Sequence, residues 1–359
     1  MNVHFIIDSI YSRLFISEVR KRFPTDDNIF YCLKNTQLKY LSSDEVTVIN
    51  PYSFFSFIVK TFKIVNSKEI SRLYLHYFSN YHTIVCLLCL KKIPIYWGYW
   101  GADLYNDINY QLYDNNTLVF LKEQNKTNFI RVIYLIFRKY VIEHKISYIT
   151  MKLQNEFKLL HDFYKTKIKR IDFEYPNPIE HEGFIHENNN VPNVLVGNSG
   201  DPGNNHYSIF ECLAKINFEF NAIVPLSYGN EEYITAMNEK GKFLLEKKFH
   251  PLLQFMSPDE YQELLNTIDI CIMNHYRQQG LGNIRYLLQT GTKIFLNPIN
   301  PLYNYLVDNG IKIYRISDLY EKEAFCPLEM KIKKENSRII RELFSKQYYD
   351  KAFNELFRK

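Results

Sequence analysis

The chain has 359 residues, 46% of them hydrophobic, with a net charge of +5 and an isoelectric point near 8.6. That is more chain than one hydrophobic core ordinarily serves, so two domains are expected. The charge excess is too small to indicate nucleic acid, and it suits a membrane surface or an anionic substrate equally.

Strands and helices alternate from the start. Residues 4–7 read as a strand and 9–23 as a helix, with Arg20, Lys21 and Arg22 near its end, where cations suit the dipole. Apolar runs at 29–33 and 46–49 read as strands, and 54–65 as a helix. A strand at 73–76, a helix at 81–90 and a strand at 93–99 follow. Cys86 and Cys89 form a Cys-x-x-C inside an apolar run, with no second pair at metal spacing. They read as buried thiols of a reduced, cytosolic protein. A strand at 148–151 precedes a helix through Tyr164. Between Pro176 and Pro192 the pattern lapses into an acidic, His- and Asn-rich stretch, which suits a linker.

The second half alternates again. Strands are expected at 194–197, 222–225, 268–273 and 293–296. Helices are expected at 205–213, 231–240, 258–267 (Ser257 as N-cap), 283–289 (closed by Gly291) and 336–357. Such alternation implies parallel sheets with right-handed crossovers. The domains are expected at 1–176 and 177–335, with 336–359 a terminal helix crossing back to the first. No secretory signal appears, and no uncharged apolar run approaches the roughly 18 residues that span a bilayer.

Three blocks carry chemistry. In Val194-Leu195-Val196-Gly197-Asn198-Ser199-Gly200-Asp201, an apolar run stops in a Gly-rich turn before a helix. Free N–H groups and the helix dipole favour an anion such as a diphosphate there, although a plain strand-to-helix connection fits too. His206, on the helix's first turn, is a candidate to reach phosphate. The block Arg277-Gln278-Gln279-Gly280-Leu281-Gly282-Asn283 also joins a strand to a helix. Arg277 suits a diphosphate and the amides suit sugar hydroxyls; the alternative is a polar surface loop. In Tyr99-Trp100-Gly101-Ala102-Asp103-Leu104-Tyr105, Asp103 lies among aromatics that would raise its pKa, so it is a candidate base. The alternative is a capping Asp among core aromatics. His76, at a strand end, is the second candidate. Residues 129–140, FIRVIYLIFRKY, with Lys165, Lys167, Lys169 and Arg170 after them, fit a membrane interface or a core helix with a cationic end.

Together these blocks resemble one family, the TDP-N-acetylfucosamine:lipid II N-acetylfucosaminyltransferases (4-alpha-L-fucosyltransferase type) of enterobacterial common antigen synthesis. The resemblance rests on Leu75-His76, Trp100-Gly101-Ala102-Asp103-Leu104-Tyr105, Leu195 to Asp201, Val224-Pro225 with Tyr228, and Arg277-Gln278-Gln279-Gly280 with Gly282. Gln289, Gly291, Leu296-Asn297 and Asn300-Pro301 extend it over roughly residues 75–301.

The resemblance implies a GT-B glycosyltransferase, with two Rossmann-like α/β domains facing across a cleft. Gly197, Asn198, Ser199 and Asp201 would face the nucleotide diphosphate, and Tyr228 would stack near the base. Arg277, Gln278, Gly280, Gly282 and Asn283 would hold phosphate and sugar. Asp103 or His76 would act on the acceptor, beside Trp100 and Tyr105. No Asp-x-Asp motif is present, so no metal or other cofactor is called for. The expected reaction moves a 4-acetamido-4,6-dideoxygalactose-type sugar from a TDP donor to a lipid-linked saccharide. The expected place is the cytoplasmic face of the bacterial inner membrane, with the protein bound peripherally and without nucleic acid. Alternatives are another nucleotide-sugar donor in O-antigen or capsule synthesis, or a non-catalytic nucleotide- or glycan-binding module.

Overall fold

The computed structural model describes residues 1–34, 37–105, 107–108, 110–122, 129–177, 184–321 and 323–358, without the side chains of Lys122, Phe129, Ile130 and Arg131. The chain forms two units. The first comprises Met1–Asn109, Lys126–Pro178 and Tyr349–Lys359; the second comprises Tyr110–Asn125 and Ile179–Tyr348. No single boundary separates them, because an arm from the N-terminal half clusters with the second unit.

The first half runs β1 (Asn2–Ile6), α1 (Ile10–Arg22), β2 (Asn28–Leu33), β3 (Thr47–Ile49), α2 (Phe54–Val65), β4 (Arg72–His76), α3 (Asn80–Leu88) and β5 (Ile95–Gly98). Then come α4 (Ala102–Tyr105), α5 (Asn115–Lys122) in the arm, α6 (Phe129–His144), β6 (Tyr148–Thr150), α7 (Gln154–Phe163) and β7 (Lys169–Ile171). The seven strands pair in the order β3-β2-β1-β4-β5-β6-β7. Every pairing is parallel. Val3, Phe5, Leu73, Leu75 and Trp97 are fully buried in this sheet. A parallel sheet covered on both faces requires such near-continuous apolar strands.

The second half contains β8 (Asn193–Val196), a 3₁₀ turn at Pro202–Asn204, α8 (His206–Ala214), β9 (Asn221–Pro225), α9 (Glu231–Leu245), β10 (Phe249–Leu252) and α10 (Pro258–Leu265). It continues with β11 (Ile270–Met273), α11 (Leu281–Thr290), β12 (Lys293–Leu296), α12 (Pro301–Asp308), β13 (Tyr314–Arg315), α13 (Met330–Leu343) and α14 (Lys346–Arg358). The sheet order is β10-β9-β8-β11-β12-β13, again parallel throughout. Val194, Val196, Phe210, Ile272 and Phe295 lie in one buried cluster between this sheet and its helices.

Part of the expected linker, residues 178–183, lies outside the described residues. Its later part is tied to the second unit: Asp269 accepts from Asn189 and Asn193 and pairs with His186. The single terminal helix expected at 336–357 is two helices. Phe344 ends α13, and the hydroxyl of Ser345 accepts the Tyr348 N–H to start α14.

Residues 349–358 pack on the first unit. Phe353 stacks on Phe15, and Phe357 on Phe23 and Tyr74. Tyr74 donates to Leu356 O, Arg72 to Phe357 O, and Arg22 pairs with Asp350. A phenyl ring with no exposure leaves a cavity when truncated. Phe353→Ala is therefore expected to destabilise the first unit by about 3–5 kcal/mol, read as a lower urea midpoint.

Candidate functional site

In the second unit the chain leaves β8 for β9 on one side and returns to β11 on the other. Connections therefore diverge between β8 and β11, and open parallel sheets bind ligands at the carboxyl ends of such strands. The loops there are residues 197–205 and 274–280, the first and second sequence blocks.

Both loops need glycine at their turning point. Gly197 has φ +71°, and a Cβ on it would stand 2.5 Å from His206 Nε2 and 2.6 Å from Asn204 Oδ1. Gly280, at φ +67°, caps α11 in the left-handed region and lies against Asn198. Only glycine takes this conformation without strain.

The loops are joined through two asparagines. Asn204, 1% exposed, donates from Nδ2 to Asp201 O (2.9 Å) and Ser199 Oγ (3.3 Å). Its Oδ1 accepts the Asn198 N–H at 2.8 Å and faces His275 Nε2 at 2.7 Å. The carbonyl of Asp201 can only accept, which fixes the amide's orientation, so His275 must carry its proton on Nε2. Asn198 reaches outward: its O accepts from the Tyr228 hydroxyl (3.3 Å) and its Oδ1 from Gln279 Nε2 (3.2 Å).

Arg277 is largely covered; its Nη2 lies 4.0 Å from Asp201 Oδ1, and its carbonyl accepts from Asn300 Nδ2. A partly exposed pair at that distance contributes little, so the guanidinium keeps its capacity for an anion. Asp201 itself accepts the Gly203 N–H at 2.8 Å and caps the 3₁₀ turn. Gln278 and Gly282 are half-buried on the same loop and helix start, and Asn283 donates to the Tyr261 hydroxyl at 2.8 Å. The geometry thus brings together Gly197, Asn198, Asp201, Tyr228, Arg277 and Gly280. Ser199, 2% exposed, lies inside the loop as a partner of Asn204. His206 does not reach outward as expected. It is fully buried beneath Gly197, with Nδ1 at 3.3 Å from the Tyr233 hydroxyl.

Sequence reasoning missed Asn204, His275 and the arm. Asn205 donates to Leu112 O and Asn274 O and accepts the Asp114 N–H, which seats the arm on the start of α8. Tyr113, between those arm residues, lies near Asp201 and Arg277: burial raises its pKa, Asp201 adds to the rise and Arg277 opposes it. The missed signal was position, because Asn204 and His275 follow adjacent strands at the point where connections diverge.

The first unit holds its candidates differently. Asp103, 3% exposed, accepts from Trp97 Nε1 (2.7 Å) and from the N–H groups of Phe78 and Trp100 (both 3.0 Å). Burial raises its pKa and these three donors oppose the rise. It lines a cleft of about 310 Å³ with Tyr77, Ser79, Tyr81, Asp107 and Arg138. Arg138 pairs with Asp107 and donates to the carbonyls of Phe78 and Asp103. Trp100 is half-buried between Tyr11, Tyr77 and Tyr175.

Two expectations for this unit need correction. His76, 2% exposed, has Nδ1 at 2.5 Å from the Tyr175 hydroxyl and Nε2 at 3.1 Å from His4 Nδ1. Neither nitrogen is left for an acceptor. Tyr105 is buried and donates to Glu156 Oε1 at 2.9 Å, as Tyr99 does, so its ring is no stacking platform.

Two parallel α/β units, with glycine turns and an arginine where strand connections diverge, define a nucleotide-sugar transferase fold of the GT-B class. Solved structures agree on the fold. Sucrose-phosphate synthase from Thermosynechococcus elongatus superposes with TM-score 0.72 at 10% identity, over 99% of this chain and 98% of that one. HepE of Anabaena, in complex with UDP-glucose, gives 0.65 at 12%, over 99% of both chains. The lipopolysaccharide outer core galactosyltransferase WaaB gives 0.60 at 10%, over 99% of both. The chain belongs to the 4-alpha-L-fucosyltransferase family, glycosyl transferase group 56, whose profile matches residues 12–357. It is a glycosyltransferase.

Burial sets the charge state of the histidines under these sites. It lowers His206 and His275 from 6.5 to about 3, and likewise His4 and His82. Below pH 6.5 the unfolded chain binds protons that the folded chain refuses. Stability is therefore full above 6.5 and falls as pH drops toward 3, by about 1.4 kcal/mol per pH unit for each histidine. Urea midpoints are expected to decline from about pH 7 to pH 5, where most carboxylates remain ionised.

Proposed function

We propose that the chain transfers a deoxy-acetamido-sugar of 4-acetamido-4,6-dideoxygalactose type from a TDP-linked donor to a lipid-linked saccharide. The carrying observation is the pair of pinned glycine loops with Arg277 between them. HepE's UDP-glucose supports a nucleotide-sugar donor in this fold, and WaaB's lipopolysaccharide substrate supports a surface-glycan acceptor. The work is expected at the cytoplasmic face of the inner membrane, with peripheral attachment. Among the described residues no helix is long and apolar enough to cross a membrane.

Departure of the nucleoside diphosphate develops negative charge. The N–H groups at the start of α11 and the guanidinium of Arg277 are fixed beforehand, so they stabilise that charge without reorganising. No metal is needed for this step. Gln279, held on Asn198, and Asn283, held on Tyr261, are assigned to the sugar. Tyr228, half exposed, is assigned to the base. On the acceptor side Asp103 acts as positioner. Its three donors fix its oxygens, and through them the loops after β4 and β5.

A second nucleotide-sugar is the alternative donor, since the loops that grip a diphosphate do not read the base. A thermal-shift screen with TDP-, UDP- and GDP-linked sugars separates them. The true donor at about 100 times its Kd adds roughly 2.7 kcal/mol of stability. Arg277→Ala is expected to lower kcat by roughly a hundredfold or more, with the unliganded melting temperature unchanged. Donor binding without transfer to any lipid-linked acceptor would instead indicate a non-catalytic module.

A further inference from the structure

The first unit wears part of its apolar surface outward. On α6, Val132, Ile133, Ile136, Phe137 and Tyr140 are exposed. They recur at three- and four-residue spacing and so form one stripe. The opposite side carries Arg138, which is 2% exposed. The same inner side buries Val141 and Ile142, so the helix is apolar outside as well as inside. On α2, Phe54, Phe55, Val59 and Phe62 form a second exposed stripe, with Phe55 82% exposed.

These helices share one face. The crossovers through α2, α3 and α6 all step the same way across the sheet, and the right-handed rule puts them on the same side. Helix α3 packs against both of its neighbours. The cleft with Asp103, Asp107 and Arg138 is lined by Tyr81 and Ile84 of α3 and by Arg138 of α6. Tyr52, before α2, stands 6.4 Å from the Tyr81 ring, so the aromatic start of α2 adjoins the cleft.

Charge identifies the occupant. Helices α2, α3 and α6 hold one carboxylate among them, Glu143 in the last turn of α6, whose Oε1 accepts the Lys165 N–H. The same helices carry exposed Lys60, Lys63 and Lys139. Aromatic and aliphatic side chains beside exposed lysines, with that one carboxylate already hydrogen-bonded, match an anionic bilayer surface.

We propose that the face formed by α2, α3 and α6 docks on anionic phospholipid and brings the cleft to the headgroup layer. The proposal rests on the reading of a lipid-linked acceptor for its purpose; its evidence is the surface itself. Apolar burial supplies adhesion, and the lysines supply attraction that weakens with salt.

Flotation of the full chain with vesicles tests this. Binding is expected to vesicles of equal parts phosphatidylcholine and phosphatidylglycerol, and to be much weaker with phosphatidylcholine alone. Phe54→Gln with Phe55→Gln, and separately Ile136→Gln with Phe137→Gln, are each expected to weaken binding at least about tenfold. Phe243→Gln, an equally exposed ring on α9 of the second unit, is expected to leave it unchanged. The paired variants should keep the melting temperature, donor binding and transfer to a water-soluble acceptor analogue. Absence of wild-type binding, indifference to headgroup charge, or full binding by the variants overturns the proposal. So does a dimer that these variants convert to monomer, since a second copy would then be the occupant. Vesicle binding without transfer to any acceptor would instead refute the proposed reaction while leaving the docking face standing.

Discussion

The side chain of Asn204 holds the loops after β8 and β11 in place. An amide has two donor hydrogens and two acceptor lone pairs, and here each has a partner in a side chain of almost no exposure. Removing any one partner would strand a buried polar group, at a cost of about 1–3 kcal/mol. The loops after β8 and β11 are therefore set before any ligand arrives. Histidine supports them as a neutral ring: His275 donates into Asn204, and His206 lies under the Gly197 backbone. A cation at either place would meet desolvation with no carboxylate beside it. Burial lowers both pKa values, so the loops keep one geometry across the physiological range.

The first unit solves the same problem with a charge. Asp103 collects the indole N–H of Trp97 and two backbone N–H groups, and so fixes the turns after β4 and β5 to one another. A carboxylate can accept from three directions where an amide must also donate, and the three donors here are all N–H groups. The arrangement also explains why an acid tolerates this depth: hydrogen bonds to the charged form offset the desolvation that raises its pKa. Arg138 completes the frame by binding the carbonyls of Phe78 and Asp103 and pairing with Asp107.

Central strands were legible in the sequence, and of the edge strands only β3 was. β1, β4, β8, β11 and β12 are apolar runs between helices, and that pattern has few other solutions in a doubly covered sheet. The strands passed over were β7, β10 and β13. β7 reads Lys-Arg-Ile and β10 contains Pro251, and each lies at the rim of its sheet. Lysine and proline belong on an edge for the reason that hides it from pattern reading: they prevent further pairing. The same divide runs through the sites. Gly197, Gly280 and Arg277 announce themselves locally, by backbone need and by charge. Asn204 and His275 act across 71 positions, and Arg138 and Asp107 across 31. No local window holds such pairs. His76 and Tyr105 misled for the opposite reason, since a polar atom at a strand end reads as reachable until its buried partner is seen.

Helix α6 shows why orientation is the last thing a sequence yields. Its period of apolar residues gives a stripe, and ordinarily the stripe faces the core. Here the inner side is taken by Arg138 together with Val141 and Ile142. Its guanidinium satisfies two carbonyls, the Tyr134 hydroxyl and the Asp107 carboxylate, and lies 4.4 Å from the Phe78 ring centre. Four polar partners would otherwise lie buried with fewer bonds. Turning the helix over would bury the apolar stripe, but it would expose Val141 and Ile142 and take the guanidinium from those carbonyls. The fold thus keeps the polar frame of the cleft, and the apolar stripe is left outside beside exposed Lys139. Frame and surface follow from one choice of helix rotation, so a change that freed Arg138 from Asp107 would disturb both.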